Sequence, residues 1–282
     1  MRSRESSMVG RSSGGKSSGR ARHNRPGDWI WGRRVVLETL RSGRWPIRDL
    51  WLCESVESEV SGEVYRLAEG LGVEVQLGDS ESIRARCHTS QHGGVLARVG
   101  EFPFWSVESL FEEPGVVRGG VPVWLLLDSV QDPYNLGAIL RSAEVLGVDG
   151  VVLARDHSAI TGHVARSSAG AVNHLRIARS ENLVGLVMQL RREGVLVLAA
   201  VGRESRTARA QDLTGSVALV IGNEGRGVAE DVLEVCDGRI GIEQSGNTDS
   251  LNVAVATGVL LYEVDRQRRD AGEAGDATSC LS

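Results

Sequence analysis

The stretch "DSVQDPYNLGAILRSAEVLGVDGVVLA", Asp128 to Ala154, decides the fold. A strand ends at Asp128, Pro133 sets a turn, a helical pattern follows, and "GVVLA" returns the chain to a strand. The strand before it, "VPVWLLLD", is continuously apolar, as are "GVLVLAAV" and "SVALVIG" further on. Runs of this kind suit parallel strands covered on both faces. Helical segments expected at 137–147, 158–170, 180–193 and 227–235 alternate with them. The second half of the chain therefore reads as a parallel-sheet α/β domain over residues 121–270, with 271–282 as a flexible tail.

On the N-terminal side the composition changes. Residues 100–120 hold Pro103, Pro114 and the pair Gly119–Gly120, and read as a linker with one short helix. Before it, residues 29–99 read as helix, strand, helix, strand, helix, strand. Val35, Val36 and Leu40 set the first helix and Gly43 stops it; "IRDLWLCES", "VEVQLGD" and "GGVLARVG" are the strands. Val60, Val64, Leu67 and Leu71 fall on one face of the second helix. This is a small α/β sandwich. Residues 1–28 are rich in Ser, Gly and Arg without apolar periodicity, and read as a disordered tail. They carry seven basic residues against Glu5 and Asp28, a net +5, which leaves −10 on the remainder of a chain whose total is −5. Such a tail suits a phosphate backbone, and equally a merely solubilising role.

Several classes are excluded. No apolar run approaches the roughly 18–20 residues that span a bilayer. The N-terminus has no apolar core, so it is not a secretory signal. Cys53, Cys87, Cys236 and Cys280 show no CxxC or CxxH spacing, and the six histidines form no ligand cluster, so no metal is expected. The reading is a soluble, cytoplasmic protein.

Open parallel sheets bind ligands at the loops beyond their strand ends. Three loops compete. In "DSVQDPYNLGA", Asn135 stands either as a plain helix cap or as a ligand-facing amide, and Arg141, on the second turn, as a surface arginine or a working one. Gly137 allows close approach of backbone or ligand. In "IGNEGRGV", Gly222, Gly225 and Gly227 surround Glu224 and open a helix, whose free amides suit a ligand. The spacing GxxGxG is not the dinucleotide fingerprint GxGxxG. No GxxxxGK phosphate loop exists either, since Lys16 is the only lysine. In "IEQSGNTDSLNVAVATG", Ser250 is a candidate cap and Asn252 a first-turn polar residue, or both serve a site.

"DPYNLGAILRSAEVLGVDGVVL", "LVIGNEGRGV" and "SLNVAVATGVLLYE" resemble the three ordered motifs of the SpoU/TrmH family of RNA ribose 2′-O-methyltransferases. The resemblance covers about 150 residues. It implies a trefoil-knotted SPOUT α/β domain that binds S-adenosyl-L-methionine and works as a homodimer. The N-terminal segment, beginning "WIWGRRVVLETLRSGRWPIRDLWL", resembles the ribosomal protein L30e-like substrate-binding domain of the branch that methylates a guanosine in 23S ribosomal RNA. Carried over residue by residue, the resemblance implies Asn135, Arg141, Glu224, Ser250 and Asn252 as the catalytic set, with Arg141 the key member and Glu224 holding Arg141 or the loop. Gly222, Ile242 and Leu251 are the implied cofactor contacts, largely through backbone, and "AAVG", Ala199 to Gly202, another wall of the pocket. One departure stands out: Glu243 and Gln244 replace the family's usual Pro-Met before the glycine. Two alternatives stay open, a transfer-RNA methyltransferase and a non-catalytic RNA-binding or ribosome-assembly protein of the same fold.

Overall fold

The computed structural model describes residues 28–112, 121–154, 157–202, 206–248 and 250–279. The basic segment before residue 28, the Gly-rich stretch 113–120 and the last three residues lie outside the described residues.

The N-terminal unit holds β1 (Trp29–Trp31), α1 (Arg33–Ser42), β2 (Ile47–Cys53), α2 (Ser58–Gly70), β3 (Val75–Gly78), α3 (Ser80–Cys87) and β4 (Val95–Val99). Gly43 ends α1 in the left-handed region, φ 61°, where its backbone N–H reaches the Thr39 carbonyl. Val64 is fully buried on α2, but Leu71 lies past the helix end and is exposed, which corrects its expected place on the buried face. The sheet order is β1-β4-β2-β3, with β4 antiparallel to both neighbours and β2 parallel to β3. The first strand was not expected: three residues are too few to show a period.

The C-terminal unit holds β5 (Val123–Leu127), α5 (Pro133–Val145), β6 (Gly150–Leu153), α6 (Gly162–Ser167), β7 (Ile177–Arg179), α7 (Leu183–Arg192), β8 (Leu196–Ala200), β9 (Val217–Ile221), α8 (Glu230–Leu233), β10 (Gly238–Ile240) and α9 (Val253–Ser279). Its six strands run in the order β10-β8-β9-β5-β6-β7, every pair parallel. All five residues of β5 and of β9 are buried. In both strands alternate residues feed two cores. Val123, Leu125 and Leu127 face a core shared with α5, α9 and the N-terminal unit. Trp124 and Leu126 face one shared with α7 and α8. A run buried on both faces is thus the expected sequence pattern. The short strands β7 and β10 escaped the sequence reading for the reason that β1 did. The final helix passes residue 270, where a tail was expected to begin, and continues to Ser279. No described helix is long and apolar enough to cross a membrane.

Between the two units lies α4 (Val107–Glu112), within the expected linker. The segment leading to it is fastened to the C-terminal sheet, where Trp105 N donates to the Ile177 carbonyl at 2.9 Å and Leu110 is fully buried.

The units meet along a built seam. Arg44 donates to the carbonyls of Asn173 and Leu175. Buried Asn173 donates to buried Thr39, and His174 meets Glu38 at 2.7 Å. Two glycines let the backbones touch. A Cβ on Gly162 would sit 2.1 Å from the Trp29 carbonyl oxygen and 2.7 Å from the Trp31 ring, and one on Gly170 would sit 2.8 Å from the Glu38 Cβ.

Candidate active site

β5 and β9 are neighbours, yet their chains leave in opposite directions, toward β6 and toward β10. That reversal is the switch point of the sheet, and a crevice opens beyond it. Asp128 ends β5 buried; its carboxylate accepts from Ala229 N at 2.8 Å and from Ser129 Oγ at 3.1 Å. Asp132 then caps α5, accepting from Tyr134 N at 2.8 Å, with Pro133 in the first helical position.

This corrects the first loop. Asn135 is not the cap; it stands in the first turn with its amide free for other work. Its Nδ2 donates to Glu224 Oε1 at 3.2 Å, and its Oδ1 accepts from Asn252 Nδ2 at 3.0 Å. Because α5 begins at Pro133, Arg141 lies on the third turn rather than the second. It is exposed, and no hydrogen bond or ion pair ties it to the described residues. Gly137 serves α6, not a ligand: a Cβ there would sit 1.8 Å from Ser167 Oγ.

Glu224 closes the first loop onto the second. Its carboxylate accepts from Asp132 N at 3.1 Å, Gln131 N at 3.3 Å, Asn135 Nδ2, and Asn223 Nδ2 at 3.3 Å. Glu224 thus bonds the loop and, among the described residues, not Arg141. Burial alone would raise its carboxyl, but the backbone N–H groups of Glu224 itself, Asp132 and Gln131 and the Asn135 amide outweigh that. They hold it below its ordinary value.

The second loop is also corrected. Asn223 and Gly227 exchange two backbone hydrogen bonds of 2.9 Å, and Asn223 Oδ1 accepts from Gly225 N and Arg226 N. The loop's amides are spent internally, and the following helix starts only at Glu230. The sequence reading missed Asn223. Its signal was an Asn directly after a strand-ending Gly, a residue that binds nearby backbone amides.

In the third loop Asn252, not Ser250, caps α9, accepting from Ala254 N at 2.9 Å and Val255 N at 3.3 Å. The two ends of its amide thus join α9 to Asn135. Ser250 and Leu251 are exposed beside a cavity of about 300 Å³. The same cavity is lined by Gly222, Glu224 and Ile242, and by Ala200, Val201 and Gly202 of the "AAVG" wall. Gly222 is required there, since a Cβ would sit 2.1 Å from the Gly227 carbonyl carbon and from Val228 N. Gln244 donates across the pocket to the Gly202 carbonyl at 2.6 Å, while Glu243 turns outward to Arg209 at 3.8 Å. Among the described residues no group of three or more His, Cys, Asp or Glu could hold a metal ion.

The sequence profile of the SpoU rRNA Methylase family matches residues 122–262, and that of the RNA 2′-O ribose methyltransferase substrate binding domain matches residues 29–105. The 23S rRNA (guanosine-2′-O-)-methyltransferase RlmB of Shewanella oneidensis is 33% identical over 243 residues, covering 86% of this chain and 98% of that protein. The chain belongs to the SpoU rRNA methylase family. Its family relative of the same name in Xanthomonas campestris is 34% identical over 246 residues, again 86% of this chain and 98% of the relative. Among solved structures, the SpoU methyltransferase AviRb of Streptomyces viridochromogenes superposes with a TM-score of 0.72 at 25% identity, covering 87% of this chain and 91% of its own. Its complex with the cofactor AdoMet gives 0.70 at 24% identity, over 86% and 90%.

Proposed function

We propose that this chain transfers a methyl group from S-adenosyl-L-methionine to a ribose 2′-hydroxyl in 23S ribosomal RNA, that of a guanosine, in the cytoplasm and as a homodimer. One observation carries the reading. Three loops from separate strands are joined through Asn135, Glu224 and Asn252, beside a cavity bounded by Gly222, Ile242 and Leu251.

The cavity fits an adenosyl sulfonium. Its walls carry much glycine and aliphatic surface, suited to a flat ring, with Asn223, Gln244 and Ser250 and the charged Glu224 and Arg226 as polar groups for a ribose and an amino-acid tail. Its volume lies at the low end of the roughly 300–1,000 Å³ of small-molecule sites. The glycine-loop amides are occupied, so the site offers no phosphate cradle, which disfavours a dinucleotide.

When bound, S-adenosyl-L-methionine supplies a methyl group on a sulfonium centre, so oxygen attack neutralises charge and needs no oxyanion hole. The rest of the work is alignment. Arg141, which stays protonated, holds the target phosphate and favours the alkoxide form of the 2′-hydroxyl. Asn135 is fixed at both ends of its amide and orients the ribose. Glu224 keeps the first two loops closed, Asn252 fixes the third, and Ser250 bonds substrate at the cavity rim.

Residues 121–270 form the SPOUT catalytic domain in this reading, and residues 29–99 the L30e-like module that selects RNA. Support for the knot lies in the path of the last segment: β10 sits at the far sheet edge beside β8, yet α9 returns to pack on α5. Support for a dimer lies on α9. One face is buried, while Val255, Val259 and Tyr262 form an exposed apolar stripe at helical spacing, with Leu251 just before it.

The test is transfer of labelled methyl to unmodified 23S rRNA and to transfer RNA transcripts, followed by digestion and mass spectrometry. One 2′-O-methylguanosine in 23S rRNA is expected. Label in transfer RNA alone overturns the substrate, and cofactor binding without transfer to either leaves the non-catalytic alternative.

A further inference from the structure

A second and larger cavity, of about 760 Å³, lies between the two units and shares none of the lining of the first. Its walls come from both. Trp29, Trp31 and Arg86 belong to the N-terminal unit; Tyr134, His163 and Arg166 belong to α5 and α6. The rings form a file. Trp31 meets His163 edge-on, with centroids 5.1 Å apart, and His163 meets Tyr134 at 6.1 Å. Tyr134 is 63% exposed and directly precedes Asn135, so the file begins beside the candidate active site.

Trp31 is buried, but the exposed rings of Tyr134 and His163 present faces for another planar group. The charge of the cleft specifies which. Arg86 stacks on Trp51 at 3.7 Å and donates to the Ser82 carbonyl. Arg166 is half-buried, lies over the Gly32 backbone, and has no hydrogen bond or ion pair with the described residues. Asp28 supplies the lone carboxylate among the lining residues. A flat ring joined to an anion is the description of a nucleotide. Unpaired bases stacked on aromatic side chains, with phosphates on arginine, are the usual way in which single-stranded RNA is held. The cleft is also pre-formed, because Gly162 and Gly170 let the units meet at backbone contact.

We propose, resting on the ribose-methylation reading above, that this cleft holds the nucleotide next to the methylated one. Its base stacks on Tyr134 and His163, and its phosphate meets Arg166. The N-terminal unit then acts at the reaction centre itself as one wall of the substrate path. RNA must enter single-stranded at this point, because a base inside a duplex has both faces covered by its stacked neighbours.

The full-length chain is tested with an unmodified 23S rRNA transcript. Tyr134→Ala should weaken RNA binding by about tenfold or more, the scale of one lost base–aromatic stack, and Tyr134→Phe should restore it. Arg166→Gln should make the dependence of log Kd on log salt shallower by about 0.7, the loss of one single-strand phosphate contact. S-adenosyl-L-methionine affinity and thermal melting should stay at wild-type values in all three variants. An active wild type whose Tyr134→Ala variant binds RNA within twofold, with an unchanged salt slope for Arg166→Gln, overturns the cleft alone. Weakened RNA binding that tracks a lowered melting temperature assigns these residues to folding and also overturns it. A wild type that methylates no RNA removes both this proposal and the reading on which it stands.

Discussion

At the scale of single residues, the site divides into groups that are tied to one another and groups that have no side-chain partner among the described residues. Asn135, Glu224 and Asn252 hold each other; Arg141, on the same helix as Asn135, has no side-chain partner among the described residues. A tied residue fixes shape before substrate arrives, whereas an untied cation acts only when a phosphate or hydroxyl comes to it. Arg141→Ala should therefore lower turnover by at least about a hundredfold, the scale of a lost transition-state contact, with S-adenosyl-L-methionine affinity unchanged in a calorimetric titration. Glu224 gives a prediction in pH. Its carboxyl is held below its ordinary value of 4.5, so the junction is stabilised by the charged form above that value and loses the contribution as pH falls through the lowered one. Melting temperatures of wild type and Glu224→Gln should differ by a constant amount above about pH 5 and converge in more acid solution; a gap that widens there would show the sign to be wrong. Asn135, Glu224 and Asn252 were legible as polar residues in the loops beyond strand ends, and Arg141 as an arginine on the helix that follows the first of them. Their pairing was not, because which amide meets which carboxylate depends on strand order.

At the scale of elements, the long apolar strands were legible because burial on both faces removes every polar position from them. The first helix of the C-terminal unit began four residues earlier than read. Asp132-Pro133 is a helix-start signal as well as a turn signal, and the capping bond to Tyr134 N settles which applies. Strands of three residues were invisible, since their existence rests on a neighbour and not on a local period. The glycine loop separates two kinds of glycine. Gly222 has backbone 2.1 Å from where a Cβ would go, while the nearest atom to one on Gly225 is Asn223 Oδ1 at 3.6 Å. Gly222→Ala should thus reduce S-adenosyl-L-methionine affinity more than tenfold, and Gly225→Ala should stay within about threefold, in the same titration. The stripe on α9 gives the other test. Val259→Glu places a charge in the proposed dimer contact and should convert a dimer to a monomer by light scattering at micromolar concentration. A variant that remains dimeric would move the contact elsewhere.

At the scale of the whole molecule, two α/β units share one continuous core, from Val36 and Leu40 through Leu136 to Leu261. The sequence showed two blocks of different strand character and a Pro- and Gly-containing stretch between them, which suggested separable parts. It did not show the seam, because polar pairs such as Asn173 and Thr39 lie far apart in sequence and the closest contacts are made by what is missing. At Gly162 the absent side chain is the space that the Trp29 carbonyl and the Trp31 ring occupy. A shape kept by an absence cannot be revised from one side. A larger residue at 162 has to be answered by a smaller one at 31 or by a different path for the first strand, so the two halves are bound to vary together. Recombining residues 29–105 of one relative with residues 122–262 of another then tests two lineages' solutions to the same gap, and the unit of exchange becomes the pair of positions on either side of it.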